Sequence, residues 1–247
     1  MMRTLARAVR RPGLQTALAI GVGLAALFFC LATFALTNDQ FGRISPARQI
    51  AQYGEMPFRD FLDPGYFLTE FSSAALLRVF DDSLLGEWLF TSAFMATGTV
   101  LVFLLALRVS QSYSMALSVA ALALLSLPRA YDYDKVLFYP LGVFLCWRYT
   151  DRPDPRVLWT LAAGLVLSAL FRYDTGVYIG CAALTVIGIT HAGDWLTAMR
   201  RSALLAIAVL CLSLPFLAFL EYSGGLLNAV DQMVTYGKRE TERTRIS

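Results

Sequence analysis

The chain has 247 residues, 57% of them hydrophobic and only 16% charged, with a mean hydropathy of +0.57. That balance excludes an ordinary water-soluble domain and predicts an all-α, polytopic transmembrane helical bundle, because a spanning helix satisfies its backbone polar groups internally. A net charge of +3 says little by itself, and the four cysteines, all within apolar runs and without CxxC or Cys/His spacing, predict buried thiols with neither disulfide nor zinc.

In chain order, a basic segment, 1–13, holds Arg3, Arg7, Arg10 and Arg11 and leads into an apolar run, 14–37. The run is long enough to cross a hydrocarbon core of roughly 30 Å and longer than the roughly 7–15 residues of a signal-peptide core, so it is expected as the first span. The polar segment that follows, 38–83, holds seven of the 18 acidic residues. Ser45 before Pro46 predicts a helix start and Gly54 a helix stop; Asp63 before Pro64 repeats the start signal. From 66 to 80, Phe67, Phe71, Ala74 and Leu77 recur at helical spacing opposite Thr69, Glu70, Ser72, Ser73 and Arg78. That pattern predicts short helices lying in the interface plane, with Glu70 facing water. Further spans are expected at 84–107, 112–127, 136–149, 157–171, 176–190 and 202–222, about seven crossings in all. The arginines set the orientation. Arg3, Arg7, Arg10, Arg11, Arg108, Arg148, Arg152, Arg156, Arg200 and Arg201 fall on one side, which predicts a cytoplasmic N-terminus, with the 38–83 loop and the tail 223–247 on the outer face of one membrane domain, 1–247.

The candidate site follows from the charges gathered at that outer face. Asp39 comes directly after the first span; Asp132, Asp134 and Lys135 lie in the turn before the fourth; Arg172 and Asp174 lie in the turn between two short spans. Charged turns at that depth are tolerated where they line a watery cavity or are packed in protein. Cations that hold a phosphate, spans that share the hydrocarbon with a lipid tail, and a carboxylate to take a proton from a hydroxyl together suit transfer from a lipid-linked donor. A non-catalytic transporter or scaffold is the competing class, though polar residues at mid-span and repeated halves, which transporters usually show, are not prominent.

The residues Asn38-Asp39, Gly54-Glu55-Met56-Pro57-Phe58-Arg59-Asp60-Phe61, Tyr131-Asp132-Tyr133-Asp134-Lys135 and Phe171-Arg172-Tyr173-Asp174 resemble motifs of the GT-C membrane glycosyltransferases, of the protein O-mannosyltransferase and aminoarabinose transferase type. The resemblance implies an inverting transferase of the plasma (bacterial inner) membrane, acting on its outer face. It would move a sugar from a polyprenyl phosphate to a glycan, lipid or protein acceptor of the cell envelope, with no nucleic-acid partner. It implies Asp39 as the catalytic base, Asp132 or Asp134 as an assisting acid or metal ligand, and Arg172 as a phosphate contact, with Lys135, Arg59, Asp60 and Asp174 around the substrate. The need for a divalent cation, Mg or Mn, stays open; Asp39 and Asp134 are the carboxylates that would hold one. Family members are usually longer, so this chain is expected to match their N-terminal seven-helix module, and an inactive truncated fragment is the reading that goes with that length.

Overall fold

The computed structural model describes residues 12–33, 38–126 and 132–246, the side chains of Asn38, Asp39 and several residues near the C-terminus excepted. Ten α-helices make up the described chain: α1 (Pro12–Thr33), α2 (Asn38–Arg48), α3 (Phe67–Val79), α4 (Leu85–Ser110), α5 (Tyr113–Leu125), α6 (Tyr133–Asp151), α7 (Pro155–Phe171), α8 (Tyr173–Thr190), α9 (Trp195–Ser223) and α10 (Leu226–Ile246). Each expected span overlaps a helix, with 34–37 of the first and 127 of the third lying outside the described residues. Four of them, α1, α4, α8 and α9, are long and apolar enough to cross a membrane. α5 and α7 are apolar but short, 13 and 17 residues, or roughly 20 and 26 Å at 1.5 Å per residue. α6 has the length of a span but brings Asp134, Lys135, Arg148 and Asp151 with it.

The helices fall into two compact units. Unit 1 takes Met1–Gln40 with Glu87–Phe144; unit 2 takes Phe41–Gly86 with Leu145–Ser247. In unit 1, Phe103, Leu107, Ala116 and Ala120 form a core on which Leu18, Ala19 and Val22 of α1 pack. A second core gathers Cys30, Met95 and Tyr133, the Tyr133 ring meeting Phe94 edge-on at 5.3 Å. α4 and α6 come together at Gly98, where a Cβ would strike the carbonyl of Val136. The missing side chain is what lets the first turn of α6 pack there. α1 buries only Ala26 and Cys30 of its 22 residues, as a helix does whose solvent is lipid.

In unit 2, α7, α8 and α9 pack on one another, and α3 lies on α7. Asp154 caps α7 by accepting from the Arg156 N–H at 2.7 Å, with Pro155 as first helical residue; Asp194 caps α9 by accepting from the Thr197 N–H and hydroxyl. The Tyr149 hydroxyl and His191 Nε2, 3.1 Å apart, join the last turns of α6 and α8.

The 38–83 segment departs from its expected form in three ways. α2 begins at Asn38, well before Ser45, and takes Pro46 into its interior. It then widens into a π-helical turn, Gln49–Tyr53, which ends as expected at Gly54 in the left-handed conformation (φ 69°). Arg78 donates to the carbonyls of Ile50 and Ala51, so a side chain partners carbonyls of the widened turn. The third departure concerns α3, which begins at Phe67, three residues after Pro64 and with Tyr66 instead of Asp63 at its N-cap, and turns its polar stripe inward. Thr69, Glu70 and Ser73 are buried together with Ala74 and Leu77. The Thr69 hydroxyl donates to the carbonyl of Phe171 at 2.9 Å, and Ala74 and Leu77 pack on Ile44, Ala47 and Ile50 of α2 and its extension. Phe67 and Phe71 meet Phe216 and Phe219 of α9. A helix with apolar residues on both sides of a hydroxyl-rich stripe can bury either, and here packing on α7 decides it. The expectation that Glu70 faces water is therefore corrected. So is the burial of all four thiols: Cys30 and Cys146 are buried, while Cys181 and Cys211 are exposed, and all four are free.

Candidate functional site

Unit 2 holds a polar cluster, part buried and part half-buried, built from three parts of its sequence. α2 contributes Arg43, the approach to α3 contributes Asp63 and Tyr66, α3 contributes Glu70, and the single residue between α7 and α8 is Arg172. Arg43 and Arg172 both lie over the Tyr66 ring, their guanidinium carbons 4.7 and 5.4 Å from its centroid. Such cation–π contacts strengthen when desolvated, to about 2 kcal/mol or more. Arg172 is extended (φ −163°), which aims its side chain out of the α7–α8 turn; its Nε donates to Asp174 Oδ1 at 2.8 Å. Asp174 also accepts from the Thr175 N–H, so the carboxylate that orients Arg172 is itself fixed in the first turn of α8.

Asp63 fixes the turn ahead of α3: its Oδ1 accepts from the N–H groups of Gly65 and Tyr66 at 2.6 and 2.7 Å. Burial nevertheless pushes this carboxyl up to about 6, the two N–H donors holding it lower than burial alone would. Burial pushes Glu70 further, to about 9, and the charge of Asp63 adds to the rise. At neutral pH Glu70 is thus a neutral acid that can donate a hydrogen bond, and Asp63 is mostly a carboxylate. Neither Asp63 Oδ2 nor Glu70 Oε2 has a hydrogen-bond partner among the described residues.

Beside this cluster lies an apolar cavity of about 270 Å³. The chain segments that carry the cluster also line it: Gly65 and Phe67 flank Tyr66, and Tyr173 follows Arg172. Its far walls come from α7, α9 and α10, among them Leu165, Phe216 and Met233. Gly65 is in the left-handed region (φ 98°), and a Cβ there would run into the Tyr173 ring. The Tyr173 N–H donates to the Gly65 carbonyl at 3.3 Å, holding the two segments side by side.

Unit 1 presents a second group. Lys135 pairs with Asp132 at 3.0 Å, one turn apart. Asp134 is fully buried, as is its neighbour Tyr133, wedged against Phe90 and Phe94. α4 brings Glu87, Thr91 and Ser92 into the same interior, and Gln40 donates to the Thr91 hydroxyl at 3.1 Å. Asp39 sits in the first turn of α2, next to Gln40; its side chain lies outside the described residues, as does the whole of Tyr131.

Arg59 and Asp60 pair with each other at 2.7 Å on an exposed turn. Arg59 holds the Asp60 carboxyl below its ordinary range, helped by the Met56 N–H, and Asp60 in turn raises Arg59. The neighbouring Phe58 carries the structural work of this motif. It is buried in the left-handed conformation (φ 65°), and its carbonyl accepts from Asn228 Nδ2 at 3.0 Å and Gln232 Nε2 at 2.9 Å of α10.

Of the residues singled out from sequence, Arg172 and Asp174 are brought together in unit 2, and Asp132 and Lys135 in unit 1. Arg43, Tyr66 and Glu70 escaped sequence reasoning. No group of three or more His, Cys, Asp and Glu residues poised to hold a metal occurs among the described residues. No family model, curated protein or solved structure matches the chain.

Proposed function

We propose that the protein is a membrane glycosyltransferase using a polyprenyl-phosphate-linked sugar, as its motif resemblance implies, with N-terminus cytoplasmic and site on the outer face. The observation that supports this best is the union, in unit 2, of two guanidiniums around Tyr66 with an apolar cavity lined by the adjoining residues. An anionic head joined to a hydrocarbon tail is the chemistry such a pair serves. Arg172 and Arg43 hold the phosphate, and the first isoprene units occupy the space between Phe67, Leu165 and Phe216. Neutral Glu70 adds no repulsion toward the phosphate.

In the reaction, an acceptor hydroxyl gives its proton to the Asp39 carboxylate as its oxygen attacks the anomeric carbon. The bond from that carbon to the phosphate oxygen breaks on the opposite face, and the polyprenyl phosphate leaves with its electron pair stabilised by the guanidiniums. Asp39→Asn keeps the shape and removes the base. It should cut turnover by about 10²–10⁴-fold with little change in carrier binding. Transfer of radiolabelled sugar from a synthetic polyprenyl phosphate to membrane acceptors, alongside carrier binding, separates the two effects. A wild-type rate in Asp39→Asn would move the base to Asp132 or Asp134. Export of the labelled carrier with no sugar transfer would favour a transporter.

A further inference from the structure

α10 (Leu226–Ile246) follows α9 after the turn Gly224-Gly225, whose second residue is in the left-handed region (φ 86°). Glu221, in the last turn of α9, accepts from the Leu226 N–H at 2.9 Å and ties the two helices where they meet. Apolar residues then occupy two neighbouring sides of α10. Leu226, Ala229 and Met233 form the inner one: Ala229 is fully buried against Phe58 and Leu220, and Leu226 and Met233 pack around it. Asn228 and Gln232, the donors to the Phe58 carbonyl, hold the helix in that seat.

The outer side is Leu227, Val230 and Val234, three and four residues apart and so on one face. They are 86%, 51% and 49% exposed. Three properties decide what covers this stripe. The first is continuity. α9 is long and apolar enough to cross a membrane, with Leu210 and Leu214 exposed on it, and its last turn carries Tyr222, 93% exposed. A tyrosine standing clear of the protein at the end of a span marks the headgroup level, and α10 starts from there. The second is charge. Asp231, Lys238, Arg239 and Glu242 are exposed along α10, and such groups are expensive inside the hydrocarbon. The helix is therefore too charged to enter the core, while its stripe is too apolar to stand in water without cost. The third is the order of residues. Lys238 comes four after Val234 on the same side, where its stem can prolong the stripe while its ammonium reaches lipid phosphates.

We propose that α10 lies on the bilayer surface, with Leu227, Val230 and Val234 sunk at the boundary between headgroups and acyl chains and Tyr222 beside them. An apolar stripe under a charged face is the pattern of a helix in the interface plane. α10 is then clamped between unit 2 and lipid, one apolar side on each. The proposal rests on α9 crossing the bilayer and not on the transferase reading, since it uses neither the arginines around Tyr66 nor Asp39.

The test takes the unmodified full chain in vesicles of phosphatidylcholine and phosphatidylglycerol. These are doped with a phosphatidylcholine whose diazirine sits either next to the ester of one acyl chain or at the end of that chain. After illumination and proteolysis, mass spectrometry locates the adducts. The ester-proximal probe should mark Leu227, Val230 and Val234 several-fold more than Asp231 and Glu242. The chain-end probe should mark Leu210 and Leu214 of α9 in preference to α10. Val230→Ser with Val234→Ser, both at exposed positions, should lose most of the α10 adducts and leave those of α9 unchanged; should that variant misfold, the unmodified chain still decides. Adducts on α9 with none on the stripe, the result of a second copy covering α10, would overturn the proposal. So would stronger marking of the stripe by the chain-end probe, or undiminished α10 adducts in a folded double variant. Absence of adducts from α9 as well would refute the span on which the proposal rests.

Discussion

Glu70→Gln should stabilise the protein at neutral pH and flatten its stability profile. Glu70 is buried on the inward stripe of α3, and its carboxyl is raised from 4.5 to about 9. A group whose folded value lies above its unfolded value keeps its full contribution below the unfolded value and loses it as pH rises through the folded one. The window here runs from pH 4.5 to about 9. At pH 7 the unfolded chain holds an ionised Glu70 while the folded chain must protonate it, 2.5 units above the ordinary value. At 1.36 kcal/mol per unit this costs about 3 kcal/mol. Glutamine has nearly the same shape, stays neutral at every pH and removes that cost. For a chain of this size about 3 kcal/mol corresponds to a rise of roughly 6–12 °C in midpoint. Asp63, raised from 3.8 to about 6, acts in the same direction over a lower window and remains in the variant. Thermal unfolding followed by tryptophan fluorescence in detergent, at pH 5, 6, 7 and 8, gives the profile. The two proteins should lie close together at pH 5 and diverge steadily as pH rises. Parallel curves across that range would show that Glu70 is ionised or hydrated in the fold, and the inward polar stripe would have to be abandoned.

Arg172→Ala should weaken binding of a polyprenyl phosphate as well as its turnover, and Arg172→Lys should recover part of it, because a point charge still meets phosphate but cannot keep the Asp174 contact and the Tyr66 face together; photo-crosslinking of a labelled carrier reads both. Gly65→Ala places a methyl at φ 98° and against the Tyr173 ring, a strain of about 1–3 kcal/mol, and should lower the thermal midpoint and the amount of crosslinked carrier together. Asn228→Ala with Gln232→Ala removes both side-chain donors to the Phe58 carbonyl, so protease cleavage around Arg59 should accelerate; unchanged cleavage would mean that Phe58 is held by its own packing. Cysteines placed at Arg152 and Arg200 should label only from the cytoplasmic side of sealed vesicles, and those at Asp60 and Asp174 only from the other; a reversed pattern would invert the proposed orientation.

Helix positions were legible because their signals are local. Asp154-Pro155 and Gly54 are a cap and a stop whose effect is confined to one turn, and each acts where its spacing places it, whereas Asp63-Pro64 stands three residues ahead of the helix that begins at Phe67. α2 shows where such signals fail. Pro46 marks a favoured first helical position, yet the structure carries the helix through it from Asn38, because a preference worth a fraction of the folding energy yields to packing of Ile44, Ala47 and Ile50 against α3. Arg172 was visible as a charge in a turn between apolar helices, while its partners Tyr66 and Arg43 were not, since more than a hundred residues separate them along the chain.

By itself the sequence determined that this chain makes apolar helices, where most of them begin and end, and which charges sit at their ends. Those properties follow from composition, caps and period, all read within a few residues. Which face of α3 turns inward, that Glu70 is neutral, and that Tyr66 gathers two arginines beside an apolar cavity were decided by the tertiary structure alone. Each depends on desolvation and contact between segments remote in sequence. A polar stripe flanked by apolar residues on both sides costs little to turn either way until α7 supplies the Phe171 carbonyl that Thr69 meets.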